Sequence, residues 1–139
     1  MQVRSGISSM TLDDVKNILE AEVIVGSNLL NQEVKMACGS DLMSDVLAFV
    51  KPESLLLTGL TNPQVVRTAE MADVAAICFV RGKKPDPATI EMAESKNIPL
   101  LTTPIPMFES CGRLWKQGMK GCSEYKTSLN GIRSRGAGK

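Results

Sequence analysis

The chain contains no histidine, one tryptophan, one tyrosine and three phenylalanines in 139 residues, and its charges nearly cancel to a formal net charge of +1. Without histidine, a metal site built on imidazole is excluded, and so is the commonest general base at neutral pH. The near-neutral balance gives no global drive toward nucleic acid or an anionic membrane. No apolar run approaches the roughly 20 residues of a membrane span, and the amino terminus lacks a signal-peptide core. Both nucleotide-cradling glycine patterns, G-x-x-x-x-G-K-[ST] and G-x-G-x-x-G, are missing. These absences predict a cytoplasmic protein with no cofactor, no nucleic-acid or membrane partner and no phosphotransfer chemistry.

What is present describes a globular domain. Hydrophobic residues at 43% with charged residues at 22% match a soluble protein, and a chain of this length buries roughly two-thirds of its unfolded surface as one unit. The organising stretch runs from Leu55 to Thr103. LLLTGL leads into TNPQVVRTAEMA, AAICFVRG leads into KKPDPATIEMAESKN, and IPLLTT follows. The apolar runs are continuous rather than alternating, as in strands buried on both faces of a parallel sheet. The expected fold is therefore α/β, a mainly parallel sheet of about five or six strands with helices packed on it.

Chemistry in such a sheet sits at the carboxyl ends of the strands. Those ends carry Thr58, Gly59, Thr61 and Asn62 after the first strand, Arg81, Gly82, Lys83 and Lys84 after the second, and Thr102 and Thr103 after the third. Asn62 before Pro63 and Asp86 before Pro87 each set a side-chain cap ahead of a proline at the first helical position. Helix starts of this kind favour anions, because unpaired amides and the macrodipole point the same way. Arg81 and Lys83 add positive charge, and Gly59 and Gly82 allow close approach to the backbone. A phosphate-bearing ligand is thus expected at Thr58, Gly59, Thr61, Asn62, Arg81, Gly82, Lys83, Thr102 and Thr103. The competing reading is plain: glycines that only make turns and basic residues that only solvate a loop.

The flanks are less explicit. Residues 1–10 have no periodicity and read as a flexible lead-in. Thr11 with Asp14 forms a capping-box pattern, and Leu12, Val15, Ile18 and Leu19 share a face, predicting a helix over 11–20. EVIVG reads as a strand, and EVKMACG as a second one with Val34, Met36 and Cys38 alternating against polar neighbours. Ser40 is placed to cap a helix DLMSDVLAFV, ended by Pro52, with Asp41 and Asp45 at i, i+4 near its start. That carboxylate pair is open to a metal or acid-base role, but its ordinary role is to face water beside the helix dipole. From Pro106 a last helix is expected, with Phe108, Cys111, Leu114 and Trp115 in one stripe and Gly118 as its stop. Beyond it, residues 119–139 form a basic, glycine-rich tail whose intrinsic tendency is disorder.

The four cysteines are Cys38, Cys78, Cys111 and Cys122, none spaced C-x-x-C. Cys78 sits inside AAICFV and reads as a small buried hydrophobe. Cys38, at a strand end ahead of a helix, is the one expected to have a lowered pKa. A four-cysteine cluster or a redox role remains the alternative.

The segment from GLTNPQVVRTAEMAD through AAICFVRGKKPDPATIEMAESKNIPLLTTPIPMFE is similar to the DRTGG domain, which accompanies CBS modules in regulated pyrophosphatases, occurs in phosphotransacetylases and is like the amino-terminal domain of HPr kinase. The resemblance covers residues 11–118. LTN stands about where the DRT element would, and VRG where TGG would. The resemblance implies an α/β regulatory or dimerising module with no catalytic residues established for it. The apolar stripe of the last helix, the alternation in VKMAC and the methionine-bearing helix at Met43 predict a homodimer, and the other expected partners are a nucleotide or other phosphate-bearing small molecule and a protein. The enzymatic alternative would use Asp41 and Asp45, and the redox or electron-transfer alternative Cys38.

Overall fold

The computed structural model describes residues 10–122. The lead-in up to residue 9 and the tail from residue 123 lie outside the described residues. In chain order the elements are β1 (Met10–Thr11), α1 (Leu12–Ile18), β2 (Glu22–Val25), a 3-10 turn (Ser27–Leu29), β3 (Glu33–Val34), β4 (Met36–Gly39), α2 (Met43–Phe49) and β5 (Ser54–Thr58). There follow α3 (Pro63–Met71), β6 (Ala76–Phe79), α4 (Pro87–Lys96), β7 (Leu100–Thr102), α5 (Met107–Lys116) and β8 (Lys120–Gly121).

The main sheet has six strands in the order β2-β7-β6-β5-β4-β8. All neighbours are parallel except β2, which runs antiparallel to β7 at one edge. β1 and β3 form a separate antiparallel pair. As expected, β5, β6 and β7 are buried along their whole length. Their side chains alternate between two cores. Leu55, Leu57, Cys78 and Leu101 face Leu12, Val15 and Leu19 of the α1 segment and Leu114 of α5. Leu56, Ile77, Phe79 and Leu100 face Val46 of α2, Val65, Val66 and Ala69 of α3 and Ala93 of α4. A strand with both faces covered holds polar residues only at its ends, where Ser54, Thr58 and Thr102 find hydrogen-bond partners, so its middle reads as an unbroken apolar run.

From β4 the chain steps outward through β5, β6 and β7, with α2, α3 and α4 on one face. It then returns along the other face through α5 to β8, which pairs on the far side of β4. The direction of strand addition therefore reverses at β4.

Helix starts follow their caps. Thr11 and Asp14 make a complete capping box: Asp14 N–H donates to Thr11 Oγ1 at 3.2 Å and Thr11 N–H to Asp14 Oδ2 at 2.9 Å. Asn62 Oδ1 accepts from Gln64 N–H at 3.0 Å, ahead of Pro63. Asp86 occupies the equivalent position ahead of Pro87, but its side chain makes no capping bond.

Several flanking expectations are corrected. EVKMACG is two strands, because Val34 turns into the β1 pair, where it is fully buried, while Met36–Gly39 joins the main sheet half-exposed. α2 starts at Met43 rather than Asp41, and its cap position is Leu42. Ser40 Oγ instead accepts from Leu42 N–H at 3.0 Å, making a local turn. Asp41 and Asp45 consequently do not share a helical face. On α5 the buried side is formed by Ser110 and Leu114, with Met107 and Cys111 packed beside them. Phe108 and Trp115, seven residues apart, stand 88% and 71% exposed. Gly118, at φ +101°, ends the helix as expected. The chain remains part of the fold past it: Met119 and Cys122 are buried and β8 extends the sheet.

Candidate functional site

β5 ends in Thr58-Gly59 and β6 in Val80-Arg81, and the loop after β4 reaches over both. Asp41, no longer helical, turns back onto β5. Its Oδ1 accepts from Thr58 Oγ1 at 2.9 Å and from Gly59 N–H at 2.7 Å. A carboxylate taking an amide and a hydroxyl makes the stronger, charge-assisted kind of bond. Asp41 therefore fastens the β4 flank to the centre of the sheet.

After β6, Lys83 N–H donates to Val80 O at 3.2 Å, and the two central residues Arg81 and Gly82 have φ of +57° and +72°. This is the pattern of a type I′ turn, which suits Asn-Gly and strains an arginine. The turn is clasped from below by the end of β7. Arg81 N–H donates to Ile105 O at 3.0 Å, Gly82 N–H to Thr103 O at 2.8 Å and Thr102 Oγ1 to Lys83 O at 2.6 Å. Thr103 Oγ1 donates to Leu19 O and accepts from Ile105 N–H.

A cleft of about 260 Å³ opens here, lined by Asp41, Gly59, Val80, Arg81, Lys83, Pro106 and Met107. Of the nine residues expected from the sequence, it brings together Gly59, Arg81 and Lys83. Thr58 lies beneath, buried and bonded to Asp41. Thr102 and Thr103 are also buried, with their hydroxyls spent on backbone carbonyls, so they position the turn rather than face the cleft. Thr61 and Asn62 lie apart. Thr61 O accepts from Asp86 N–H at 3.1 Å and Thr89 Oγ1 at 2.7 Å, tying the start of α4 to the loop before α3. Gly82 leaves open space above it, but its amide, like that of Gly59, already has a partner within the protein.

Two parts of the expected anion site are corrected. The proline-started helices α3 and α4 do not line the cleft; the start of α5, at Pro106 and Met107, does. The glycine amides do not line it with free donors. What remains is side-chain chemistry. Arg81 and Lys83 are exposed and, among the described residues, neither has an ion-pair partner, whereas Lys84 pairs with Glu22 at 3.1 Å. Sequence reasoning missed Val80, Pro106 and Met107, and it singled out Asp41 only as a helical partner of Asp45 rather than as a wall of this cleft.

A second cluster lies at β4. Cys38 and Cys122 line one cavity and influence one another's protonation, and Cys111 approaches β4 from the other face, where a Cβ on Gly39 would meet its Sγ at 3.0 Å. The lowered pKa expected for Cys38 is corrected: the adjacent Cys122 and burial push it up. Cys122 is held below the ordinary thiol value, first by the adjacent Cys38 and then by the Lys51 amide, against the opposing effect of burial. Cys78 behaves as the expected buried hydrophobe, with burial pushing its thiol up to about 12. Among the described residues no group of three or more metal-ligating side chains is gathered, and no helix is long and apolar enough to cross a membrane.

The sequence profile of the DRTGG domain matches residues 14–114. No curated protein matches the chain in sequence. Among solved structures, the fold resembles the CBS and DRTGG domains of the regulatory region of Clostridium perfringens pyrophosphatase, determined in complex with its activator, diadenosine tetraphosphate. The TM-score is 0.64 and the identity 20%, over 79% of this chain and 47% of that one. The chain therefore spans about half the length of that regulatory region.

Proposed function

The chain belongs to the DRTGG domain family, and from that premise we propose that it is a non-catalytic regulatory module that binds a phosphate-bearing small molecule, such as an adenine nucleotide, in the cleft between Asp41, Arg81 and Lys83. The observation that carries this reading is Arg81. An arginine at φ +57° is strained by about 1 kcal/mol or more relative to glycine; Glu20, Glu53, Asp73 and Asn97 share that conformation, but of these five Arg81 alone lines the cleft, where such strain accords with a functional position. The turn holds its guanidinium and the Lys83 ammonium at one mouth, with the start of α5 below. A guanidinium matches a phosphate in a two-point fork, and a helix start favours the same charge. Asp41 at the opposite wall accepts hydrogen bonds and suits a ribose hydroxyl or a base amine rather than the phosphate. The regulatory region with the similar fold binds a dinucleoside polyphosphate, which agrees with a ligand of this class.

The module acts as a homodimer in the cytoplasm. Phe108 and Trp115 project from one side of α5, and Leu42, Leu47 and Phe49 from the α2 region. Solvent-exposed aromatic and aliphatic side chains grouped in this way mark contact surfaces. Four free cysteines fit a reducing compartment. Light scattering should find a species near twice the 15.0 kDa chain mass; a 15.0 kDa species alone at micromolar concentration removes the dimer.

Titration calorimetry with ATP, ADP, AMP, diadenosine tetraphosphate and inorganic phosphate tests the site. Micromolar binding by one of these, weakened about tenfold or more by Arg81→Ala and by Lys83→Ala, is the expected outcome. At a hundred times its dissociation constant that ligand should add about 2.7 kcal/mol of stability. No binding by any of them, or an affinity that Arg81→Ala leaves unchanged, reduces the basic turn to a solvated loop.

A further inference from the structure

We propose that Cys38 and Cys122 are an oxidation site, a dithiol that a hydroperoxide converts to a disulfide joining β8 to β4. Three placements support this. Ala37 and Gly121 are the last register partners in the parallel β4–β8 pair, and Cys38 and Cys122 are the residues that follow them in each chain segment. Adjacent strands lie about 4.8 Å apart, within the Cα separation a disulfide spans. Both thiols also line one cavity of about 410 Å³, together with Asp45, Val46, Phe49 and Val50 of the α2 segment, and Phe49 at its wall is 55% exposed. A small hydroperoxide fits that space. Cys111 shares a smaller cavity of about 160 Å³ with Cys38, but it enters from the α5 face against Gly39 and Cys122 does not line that cavity.

The roles of the two sulfurs follow from their surroundings. The adjacent Cys38 and the Lys51 amide favour the Cys122 thiolate. The thiolate is the attacking species in such chemistry. Its sulfur attacks one oxygen of the hydroperoxide, the O–O bond breaks, and the other oxygen leaves as hydroxide or alkoxide and takes up a proton. Cys122 is then a sulfenic acid. The negative charge on Cys122, one of the influences that keep Cys38 protonated, is lost at that moment, while burial of Cys38 persists. The Cys38 sulfur attacks the Cys122 sulfur, the S–S bond forms, the S–O bond breaks, and hydroxide departs with the Cys38 proton as water. With hydrogen peroxide, two thiols and one peroxide become one disulfide and two waters. A dithiol reductant reverses the bond by exchange.

The consequence is mechanical. β8 is held to β4 by only Met36 with Lys120 and Ala37 with Gly121. A covalent link there fixes the edge strand and closes a loop running from residue 38 to residue 122, most of the domain.

The test treats reduced full-length protein with one equivalent of hydrogen peroxide and maps the peptides by mass spectrometry. The expected product is a Cys38–Cys122 link, reversed by dithiothreitol, with the Tm raised by about 5 °C or more. Its formation rate should be half-maximal at a pH well below the ordinary thiol value of 9.0. Cys38→Ser should leave a Cys122 sulfenic acid that dimedone traps, and Cys111→Ser should leave the link intact; circular dichroism checks that both variants fold. A link through Cys111, over-oxidation of Cys122 in place of a link, or thiols that react only after denaturation each overturn the proposal. The wild-type peptide map decides between these outcomes without any variant.

Discussion

β5 with α3 and β6 with α4 look like copies of one unit, each a buried strand followed by a capping residue, a proline and a helix. The structure makes them unequal. In the first, Asn62 caps α3 and the loop is held by Asp41 from the flank. In the second, Asp86 makes no capping bond, and the loop is longer, carries the strained turn at Arg81 and Gly82, and hangs on Thr61 O of the first. The first unit is therefore scaffold and the second presents the charges. Similar local signals mark where helices begin, but the partners across the sheet decide which loop is free to meet a ligand.

Five substitutions test this inequality, and the largest effect falls on the scaffold. Asp41→Ala removes the bonds to Thr58 and Gly59, which should cost about 1.5 to 3 kcal/mol in urea unfolding, the range for hydrogen bonds to a charged group. A loss under about 0.5 kcal/mol would show that the flank is not fastened there. Thr89→Val deletes the hydroxyl that donates to Thr61 O inside the protein and should cost about 1 kcal/mol, with hydrogen exchange at the start of α4 accelerated ahead of α3.

Asn62→Ala should cost about 1 kcal/mol, while Asp86→Ala, which breaks no capping bond, should stay within about 0.5 kcal/mol. Equal losses in thermal melts would restore the two units to equivalence. The smallest effect has the opposite sign. Arg81→Gly relieves the left-handed strain and should leave stability unchanged or raise it by up to about 1 kcal/mol, while abolishing the ligand response. If it destabilises the fold, the turn is structural rather than a presenter of charge.

The central fold was legible because burial on both faces leaves only one kind of strand sequence. LLLT, AICF and LLT could not belong to an edge. Capping was legible where the partner lies within a few residues, as for Thr11 with Asp14 and Asn62 with Gln64. The flanks resisted because their pairing is long-range and partial. EVKMACG carries no local mark of the break that sends Val34 to β1 and Met36 to β5, and MKGC reads as tail because its partner, β4, is more than eighty residues earlier in the chain.

By itself, then, the sequence determined the buried parallel strands, the positions of most helix starts and the basic turn after β6. Those follow from periodicity, capping and composition, all short-range properties of the chain. The tertiary structure alone decided that Asp41 leaves its helix to hold β5, that α5 rather than α3 or α4 borders the cleft, and that Cys38 meets Cys122. Each of these depends on which strand lies beside which, and that order is set where the chain reverses direction at β4 and carries β8 back across the sheet.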